Sequence, residues 1–183
     1  MTRVKICGVN DPVAFDTAIA AGADWIGFVF FARSPRVVTP ARAASLAAVP
    51  LDILQLYTSP ERAAAIGAGA GRAFWRAVPV SREADLPAAM DGAAALVIEG
   101  RAPPGATRPG GNASGFDWSL TRGWRAPGPW LLAGGLTPEN VAAAIRQTGA
   151  SAVDVSSGVE AAPGRKDPAR IRAFIAAAKA TTT

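Results

Sequence analysis

The sequence predicts an α/β fold, a TIM-type (β/α) barrel that the whole chain, residues 1–183, forms as a single domain. Short apolar segments alternate with helical segments, which is the pattern of a parallel sheet with helical crossovers. No linker or change in composition marks a domain boundary, and 183 residues suffice for one sizeable core. Glycines and serines suited to a phosphate follow the last two predicted strands, as in a barrel, whereas an open dinucleotide-binding sheet carries such glycines after its first strand.

Seven segments are predicted to be strands because they are short, apolar and rich in β-branched or aromatic residues. In chain order, the predicted strands are residues 3–7, 24–31, 51–57, 74–79, 94–99, 130–133 and 152–155. The second of them, DWIGFVFF, is an almost continuous apolar run, as expected for a strand covered on both faces of the sheet.

Helical segments follow most of these strands and carry start and stop signals. The first has Asn10 or Asp11 as a candidate N-cap and Gly22 as its stop, and Thr39 precedes the proline that opens the second. The predicted helices are residues 12–21, 40 to about 48, one opened by Ser59-Pro60-Glu61, a short one near 83–90, 137–147 and 168–179. Residues 100–115 form a Pro/Gly-rich loop that is too long for a plain connection, which indicates a function. A helical turn is expected in the FDWSL segment behind it.

Charge and composition limit the class of partner. The chain has a formal net charge of +5 and no histidine. Its basic residues are scattered, with no run of five, so we expect no nucleic acid and no membrane surface as a partner. Ordinary solvated arginines explain the excess charge, and a phosphorylated small-molecule ligand is the alternative explanation.

The count of metal-binding and thiol side chains limits the chemistry. Cys7 is the only cysteine, so no internal disulfide can form, which is typical of the cytoplasm. The first residues lack the apolar core of a signal peptide, and no apolar run is long enough to span a bilayer. We expect a cytoplasmic protein with no metal; magnesium held by carboxylates is the open alternative.

Two segments near the end predict a phosphate site, LLAGGLTPENV and DVSSGVE. Glycines let the backbone approach a ligand, and the helix start at residues 137–140 is expected to offer free amides. Each segment is a weak signal by itself, since two glycines before a helix more often form only a tight turn. Two of them on consecutive βα units favour an anion. The candidate phosphate-binding residues are Gly134, Gly135, Ser156, Ser157 and Gly158.

Three side chains at strand ends are candidates for catalysis or binding. Cys7 ends the first strand and is a candidate base or nucleophile; the alternative is a small core residue. Lys5 could help to ionise the thiol, although the alternation of side chains along a strand points Lys5 away from its immediate neighbours. Glu99 ends the strand AALVIE and becomes a proton donor if burial raises its pKa, or is an exposed loop carboxylate. Asp154 lies between valines, where an unpaired carboxylate is costly.

Two further positions are candidates for substrate binding. Arg36, in SPRVV, could bind a carboxylate with both arms of its guanidinium, although a surface arginine is equally compatible with the spacing. Gln55 and Tyr57 end the strand LQLY, and we expect one of them to face the site.

One set of motifs runs along most of the chain in a fixed order: KICGVND, AGADWIGFVFFARSPRVVTP, LDILQL, GGN…FDWSL, LLAGGLTPENV and VDVSSGVEAAPGRKD. In this order they resemble the phosphoribosylanthranilate isomerase family of tryptophan biosynthesis. The resemblance implies a (β/α)8 barrel that converts N-(5′-phosphoribosyl)anthranilate into 1-(2-carboxyphenylamino)-1-deoxyribulose 5-phosphate by general acid and base catalysis, without a cofactor. It also implies that the partner is a phosphorylated small molecule and that the protein is a monomer or a homodimer.

The resemblance also implies roles for individual residues. Cys7 takes the position of the base and Glu99 that of the acid, which is an aspartate in the family. Arg36 binds the anthranilate carboxylate, and Asp154 contacts the sugar. Tyr57 replaces the histidine of the family motif LQLHG and is expected to bind substrate.

The sequence departs from the family most at LAAVP, which runs directly into LDILQL. The third strand and its helix are missing there, so the barrel is expected to lack about one βα unit. Closure by the neighbouring strands, a partner chain in the gap and a barrel that stays open are the alternatives. The loss also leaves open a weakened or inactive descendant that binds a phosphorylated ligand. A related sugar-phosphate isomerase is the third possibility, against which Arg36 argues, since it suits a benzoate carboxylate.

Overall fold

The computed structural model describes residues 1–47, 51–103, 105 and 117–181, so most of the predicted functional loop at 100–115 lies outside the described residues. Seven parallel strands form one sheet, in the order β2-β1-β7-β6-β5-β4-β3. The strands are β1 (Arg3–Cys7), β2 (Trp25–Gly27), β3 (Ile53–Leu56), β4 (Ala73–Val80), β5 (Ala95–Gly100), β6 (Trp130–Leu132) and β7 (Ala152–Val155). Each predicted strand is present, and all are parallel.

Helices connect the strands and cover the outside of the sheet. They are α1 (Pro12–Ala20), α2 (Pro40–Ala47), α3 (Pro60–Ala70), α4 (Val141–Thr148) and α5 (Pro168–Lys179). Asp11, Ser59 and Asp167 cap α1, α3 and α5, each accepting a hydrogen bond from a backbone amide of the first turn. In the part of the chain that is described, no helix is both long and apolar enough to cross a membrane.

The sheet has two free ends, β2 and β3, so the described residues do not form the closed ring of eight strands that the family resemblance implies. These are the two strands that flank the missing unit. Because α2 ends at Ala47 and β3 begins at Ile53, the chain between them is too short to hold a further strand and helix. The described residues therefore rule out closure by the neighbouring strands, and a barrel that stays open or a partner chain in the gap are the alternatives that remain.

The second strand is shorter than predicted. The expected strand at residues 24–31 pairs regularly only over Trp25–Gly27, and beyond it Val29 makes a single parallel bridge to Val37. The neighbouring strand β1 ends at Cys7, opposite Gly27, and the other edge of β2 has no partner among the described residues. In the described residues, the regular ladder of β2 therefore ends at Gly27.

Two predicted helices also differ from the structure. The helix expected at residues 137–147 begins at Val141, and the short helix expected near 83–90 is a single 3-10 turn at Glu83–Asp85. Residues after β7 add a 3-10 turn and an antiparallel hairpin that the sequence analysis missed. These elements are the turn Ser157–Val159 and the strands β8 (Glu160–Ala162) and β9 (Arg165–Lys166).

Alternation along the strands divides the apolar side chains between two cores. The outer core packs strand residues such as Val4 and Ile6 against α1 and α5, where Phe174 is fully buried. The inner core fills the concave side of the sheet, where Trp25 of β2 contacts Trp75 of β4 edge to face at a centroid distance of 5.1 Å. The inner core consists of Trp75, Ala95, Val97, Leu131, Ala133 and Ala152, with Trp25 and Ile53 packed against it.

Candidate active site

One cavity of about 700 Å³ in the described part of the chain is lined by all ten candidate site residues. It extends over the inner face of the sheet at the carboxyl ends of the strands, where (β/α) barrels bind their substrates. The predicted residues that line it are Cys7, Arg36, Tyr57, Glu99, Gly134, Gly135, Asp154, Ser156, Ser157 and Gly158.

Lys5 and Asp154 form a buried ion pair inside the barrel, with 3.0 Å between Lys5 Nζ and Asp154 Oδ1. This pairing explains how a carboxylate can lie between two valines at the carboxyl end of β7. Lys5 is two residues from Cys7 and therefore shares its face of β1. Burial alone would lower the pKa of Lys5, but the charges of Asp154 and Cys7 outweigh burial and raise it. Lys5 is thus a permanent cation at the base of the cavity.

Gly27 of β2 lies directly against these two β1 side chains. A Cβ atom at this position would stand 3.1 Å from Cys7 Sγ and 3.2 Å from Lys5 Nζ. The absence of a side chain on β2 therefore leaves room for the thiol and the ammonium group to lie next to each other in the cavity.

Glu99 is buried at the carboxyl end of β5, with only 6% of its surface exposed. Burial, and after it the negative charge of Asp154, raises the pKa of Glu99 to about 8, although Tyr57 and Lys5 oppose the rise. Its Oε1 atom is buried and has no hydrogen-bond partner among the described residues. The side chain is therefore protonated at neutral pH and available as a proton donor.

Tyr57 projects from just beyond β3 toward Glu99. The side-chain amide of Gln55 donates a hydrogen bond of 3.1 Å to the Tyr57 hydroxyl, so both candidates at the end of LQLY lie at the cavity. Although 42% of the whole residue is exposed, burial of its hydroxyl end and then the charge of Glu99 raise the pKa of Tyr57 well above its usual value. The phenol is neutral at physiological pH.

The two predicted phosphate loops touch each other. Gly134 and Gly135 have φ angles of 85° and 68°, which favour glycine, and they open the loop after β6. Gly158 packs so closely on this loop that a Cβ atom would overlap the carbonyl oxygen of Leu136. In the described part of the chain, the amides of Gly135, Ser157 and Gly158 have no hydrogen-bond acceptor. They are available to an anion in the cavity.

The expectation of free amides at the helix start, residues 137–140, is wrong for Thr137. The Thr137 amide is not free, since it donates a hydrogen bond of 2.7 Å to Oδ1 of Asn140. The side-chain amide of Asn140 in turn donates to the carbonyl of Gly135 at 2.9 Å. Asn140 thus closes the turn on itself and delays the start of α4 to Val141.

Arg36 binds a carboxylate with two nitrogens of its guanidinium, but this carboxylate is a side chain of the protein itself. Its Nε and Nη2 atoms donate to the two oxygens of Glu160 at 2.6 and 2.9 Å. Lys166 also donates to Glu160, at 2.9 Å. Burial opposes the ionisation of Glu160, but the hydrogen bond from Arg36 and the charge of Lys166 outweigh it and lower its pKa. Arg36 is therefore held at the cavity wall in a fixed orientation.

Two charged residues behind the cavity wall, Glu160 and Lys166, were not predicted from the sequence. The available signal was the charged pair on either side of the turn AAPGR, close behind the DVSSG segment. As for metals, the described ranges contain no group of three or more His, Cys, Asp or Glu side chains that could hold an ion.

Comparison with known sequences connects this geometry to one family. The family model described as N-(5′-phosphoribosyl)anthranilate (PRA) isomerase matches residues 43–177. The N-(5′-phosphoribosyl)anthranilate isomerase of Acidiphilium cryptum is 50% identical over 204 residues, covering 98% of this chain and 100% of the relative. The enzyme of that name from Rhodospirillum rubrum is 46% identical over 213 residues, covering 97% of this chain and 98% of the relative. Both alignments exceed 183 residues, so these relatives carry residues that this chain lacks.

Solved structures with the same fold carry the same name. Phosphoribosyl anthranilate isomerase from Thermus thermophilus superposes with a TM-score of 0.82 at 28% identity, covering 96% of this chain and 98% of that one. Monomers generated from the dimeric enzyme of Thermotoga maritima give 0.75 at 31% identity, over 98% and 99%. An isomerase of this name in complex with reduced 1-(o-carboxyphenylamino)-1-deoxyribulose 5-phosphate gives 0.71 at 29% identity, over 98% and 99%.

Proposed function

This chain belongs to the N-(5′-phosphoribosyl)anthranilate isomerase family, and we propose that it catalyses the Amadori rearrangement of N-(5′-phosphoribosyl)anthranilate to 1-(2-carboxyphenylamino)-1-deoxyribulose 5-phosphate in tryptophan biosynthesis. The observation that carries the proposal is the presence of a thiol, a buried carboxyl group and free backbone amides in one cavity. The reaction moves hydrogen between neighbouring carbons of one molecule, so it needs no external oxidant or reductant.

Glu99 is the proposed general acid. Burial raises its pKa to about 8, so it holds a proton at neutral pH. Transfer of this proton to the ring oxygen of the ribose breaks the bond between that oxygen and C1′, and the nitrogen lone pair forms a protonated Schiff base. The unpartnered Oε1 atom suits this role, because no described residue competes for it.

Cys7 is the proposed general base. It removes the proton from C2′ of the Schiff base, and the electrons of that C–H bond form a C1′–C2′ double bond while the nitrogen becomes neutral. The product of this step is the enolamine. Cys7 shares its face of β1 with Lys5, and the missing side chain of Gly27 leaves room for the thiol in the cavity.

The remaining residues of the cavity are proposed to hold the substrate. The amides of Gly135, Ser157 and Gly158 bind the terminal phosphate. Arg36, oriented by Glu160, binds the anthranilate carboxylate. Asp154, held by Lys5, contacts the sugar.

Two finer points extend the proposal. We place the reaction in the cytoplasm, since a chain with one cysteine needs no oxidising compartment. We also propose that the protein works as a monomer or a homodimer, as the Thermotoga maritima enzyme is described as dimeric and yields monomers.

Growth of a tryptophan auxotroph that lacks this isomerase tests the proposal. A plasmid that carries the unmodified chain is expected to restore growth without tryptophan, and Cys7→Ala is expected to abolish it. Failure of the unmodified chain, when it is soluble in the cells, would instead favour a non-catalytic phosphate-binding protein. The free edges of β2 and β3 are the observation that keeps this second function in consideration.

A further inference from the structure

Lys166 is a buried cation that lies behind the phosphate loop and outside the cavity wall. Its side chain is fully buried, and it is absent from the residues that line the cavity. Its ammonium group donates to the Ser156 carbonyl oxygen at 2.9 Å, to Ser156 Oγ at 3.4 Å and to Glu160 Oε1 at 2.9 Å. All three hydrogens are used within the protein, so this lysine is poorly suited to bind substrate directly.

The contact with Ser156 determines the direction of the next amide. The C=O of Ser156 and the N–H of Ser157 belong to one trans peptide unit and point in opposite directions. Because Lys166 holds the carbonyl, the N–H of Ser157 points away from Lys166. In the described part of the chain this N–H has no acceptor, and Ser157 lines the cavity.

Two more observations show that this peptide is built into a particular orientation. Ser156 has a ψ of −83°, far from the value near +115° of a parallel strand, so its carbonyl turns out of the direction of β7. The Ser156 hydroxyl donates to the Cys7 carbonyl at 3.1 Å, which ties the loop to the end of β1. The ammonium group of Lys166, next to the Ser156 carbonyl oxygen, also polarises the peptide and strengthens the N–H of Ser157 as a donor.

We propose that Lys166 is a positioning residue for phosphate binding: it fixes and polarises the Ser156–Ser157 peptide so that the Ser157 amide donates to the phosphate, which Lys166 does not touch. The inference rests on the proposed function in one respect, namely that the ligand of this loop carries a phosphate.

The test compares Lys166→Met and Lys166→Gln in the full-length protein. Lys179→Met is the matched control, since Lys179 pairs with Asp24 at 3.3 Å and does not line the cavity. The dissociation constant of inorganic phosphate is measured by calorimetry, and KM and kcat are measured with N-(5′-phosphoribosyl)anthranilate. Circular dichroism establishes that each variant is folded.

Loss of a hydrogen bond to a charged donor is expected to weaken phosphate binding by about tenfold in Lys166→Met and to raise KM similarly, with a smaller effect on kcat. Lys166→Gln keeps a neutral donor for the Ser156 carbonyl, so its affinity is expected to lie between the methionine variant and the parent. Lys179→Met is expected to bind phosphate as the parent does.

Several results would overturn the proposal. A folded methionine variant with the affinity of the parent would exclude the positioning role. Equal losses in both variants would show that the hydrogen bond to the Ser156 carbonyl does not fix the peptide. If the methionine variant does not fold, parent-like binding by the glutamine variant would overturn it. A parent that binds phosphate without turnover contradicts the proposed function only, whereas a parent that binds no phosphate contradicts both.

Discussion

Cys7 supplies the only thiol of the chain, and it lies beside a permanent cation on the inner face of β1. Cys7→Ser replaces it with a hydroxyl that is too weakly acidic to act as a base without a partner. We expect kcat to fall by about 10³-fold, within the range that general base catalysis contributes. Phosphate affinity serves as the internal control and is expected to stay unchanged. A kcat within a few-fold of the parent would remove Cys7 from the mechanism.

Glu99 should set the alkaline limit of activity. Because burial raises its pKa to about 8, the proton that it donates is present at pH 7 and lost at pH 9. We expect kcat/KM to decline above pH 8, and the decline to be absent in Glu99→Gln, whose residual rate is low at every pH. A parent whose rate is flat from pH 7 to pH 9 would contradict this assignment.

The same carboxyl group should make stability depend on pH. Its folded pKa of about 8 lies above the ordinary value of 4.5, so between these values the folded state holds a proton that the unfolded state has lost. Stability therefore falls as pH rises from 4.5 to 8. Chemical denaturation is expected to show Glu99→Gln gaining on the order of 3 kcal/mol relative to the parent between pH 5 and pH 8. A difference that does not change with pH would show that Glu99 is ionised in the folded protein.

At the scale of single residues, the sequence could predict side chains that end apolar strands. Cys7, Glu99 and Asp154 lie at such ends, and the parallel sheet brings their carboxyl ends together. It could not predict the partner of Arg36, because Glu160, and the Lys166 that also donates to Glu160, lie on a hairpin whose folding back depends on tertiary contacts.

At the scale of elements, the two phosphate loops depend on one close approach. In Gly158→Ala the new methyl group would overlap the Leu136 carbonyl and force the loops apart. We expect a loss of about 1–3 kcal/mol of stability, the usual cost of overpacking, together with at least a tenfold loss of phosphate affinity, measured by denaturation and calorimetry.

Gly69→Ala is the matched control, because nothing lies within 4 Å of a Cβ atom at this position in α3. It is expected to leave phosphate affinity unchanged and to stabilise the protein by about 0.5–1 kcal/mol, as alanine is the better helix former. Equal affinities in the two glycine variants would show that the loops do not need to touch.

Element boundaries were predictable where local signals decide them. The proline and aspartate at the start of α5 fix that helix, and its predicted range is confirmed. The predicted length of the second strand is wrong, because the extent of its pairing depends on the neighbouring strands and not on its own apolar run. The predicted start of α4 is wrong, because the Asn140 side chain accepts a hydrogen bond from the turn that precedes the helix.

At the scale of the whole molecule, the missing βα unit was visible in the sequence as a short connection, but its consequence was not. Local patterns do not show whether neighbouring strands close a gap, and the described residues leave β2 and β3 as free edges. Free edges lack backbone hydrogen bonds that a neighbouring strand would supply. The Acidiphilium cryptum relative, aligned over 204 residues, carries chain that this protein lacks.

Insertion of a strand and helix between Ala47 and Leu51, where the family resemblance places the missing unit, is expected to stabilise the protein. A strand in the gap would pair with both free edges and cover the inner core, so we expect the Tm to rise by roughly 5 °C or more. An insertion of equal length made of glycine and serine is the control. A Tm no higher than that of this control would show that the open sheet is already complete.

The central claim is that Cys7 and Glu99 act as base and acid in a cavity that binds the phosphate of the substrate. Single-turnover conversion of N-(5′-phosphoribosyl)anthranilate by the purified parent, Cys7→Ala and Glu99→Gln at pH 7 tests it most directly. We expect the parent to form 1-(2-carboxyphenylamino)-1-deoxyribulose 5-phosphate, and both variants to be slower by at least about 10²-fold while binding inorganic phosphate as tightly as the parent does. A folded parent without turnover, or a variant with the rate of the parent, would contradict the claim.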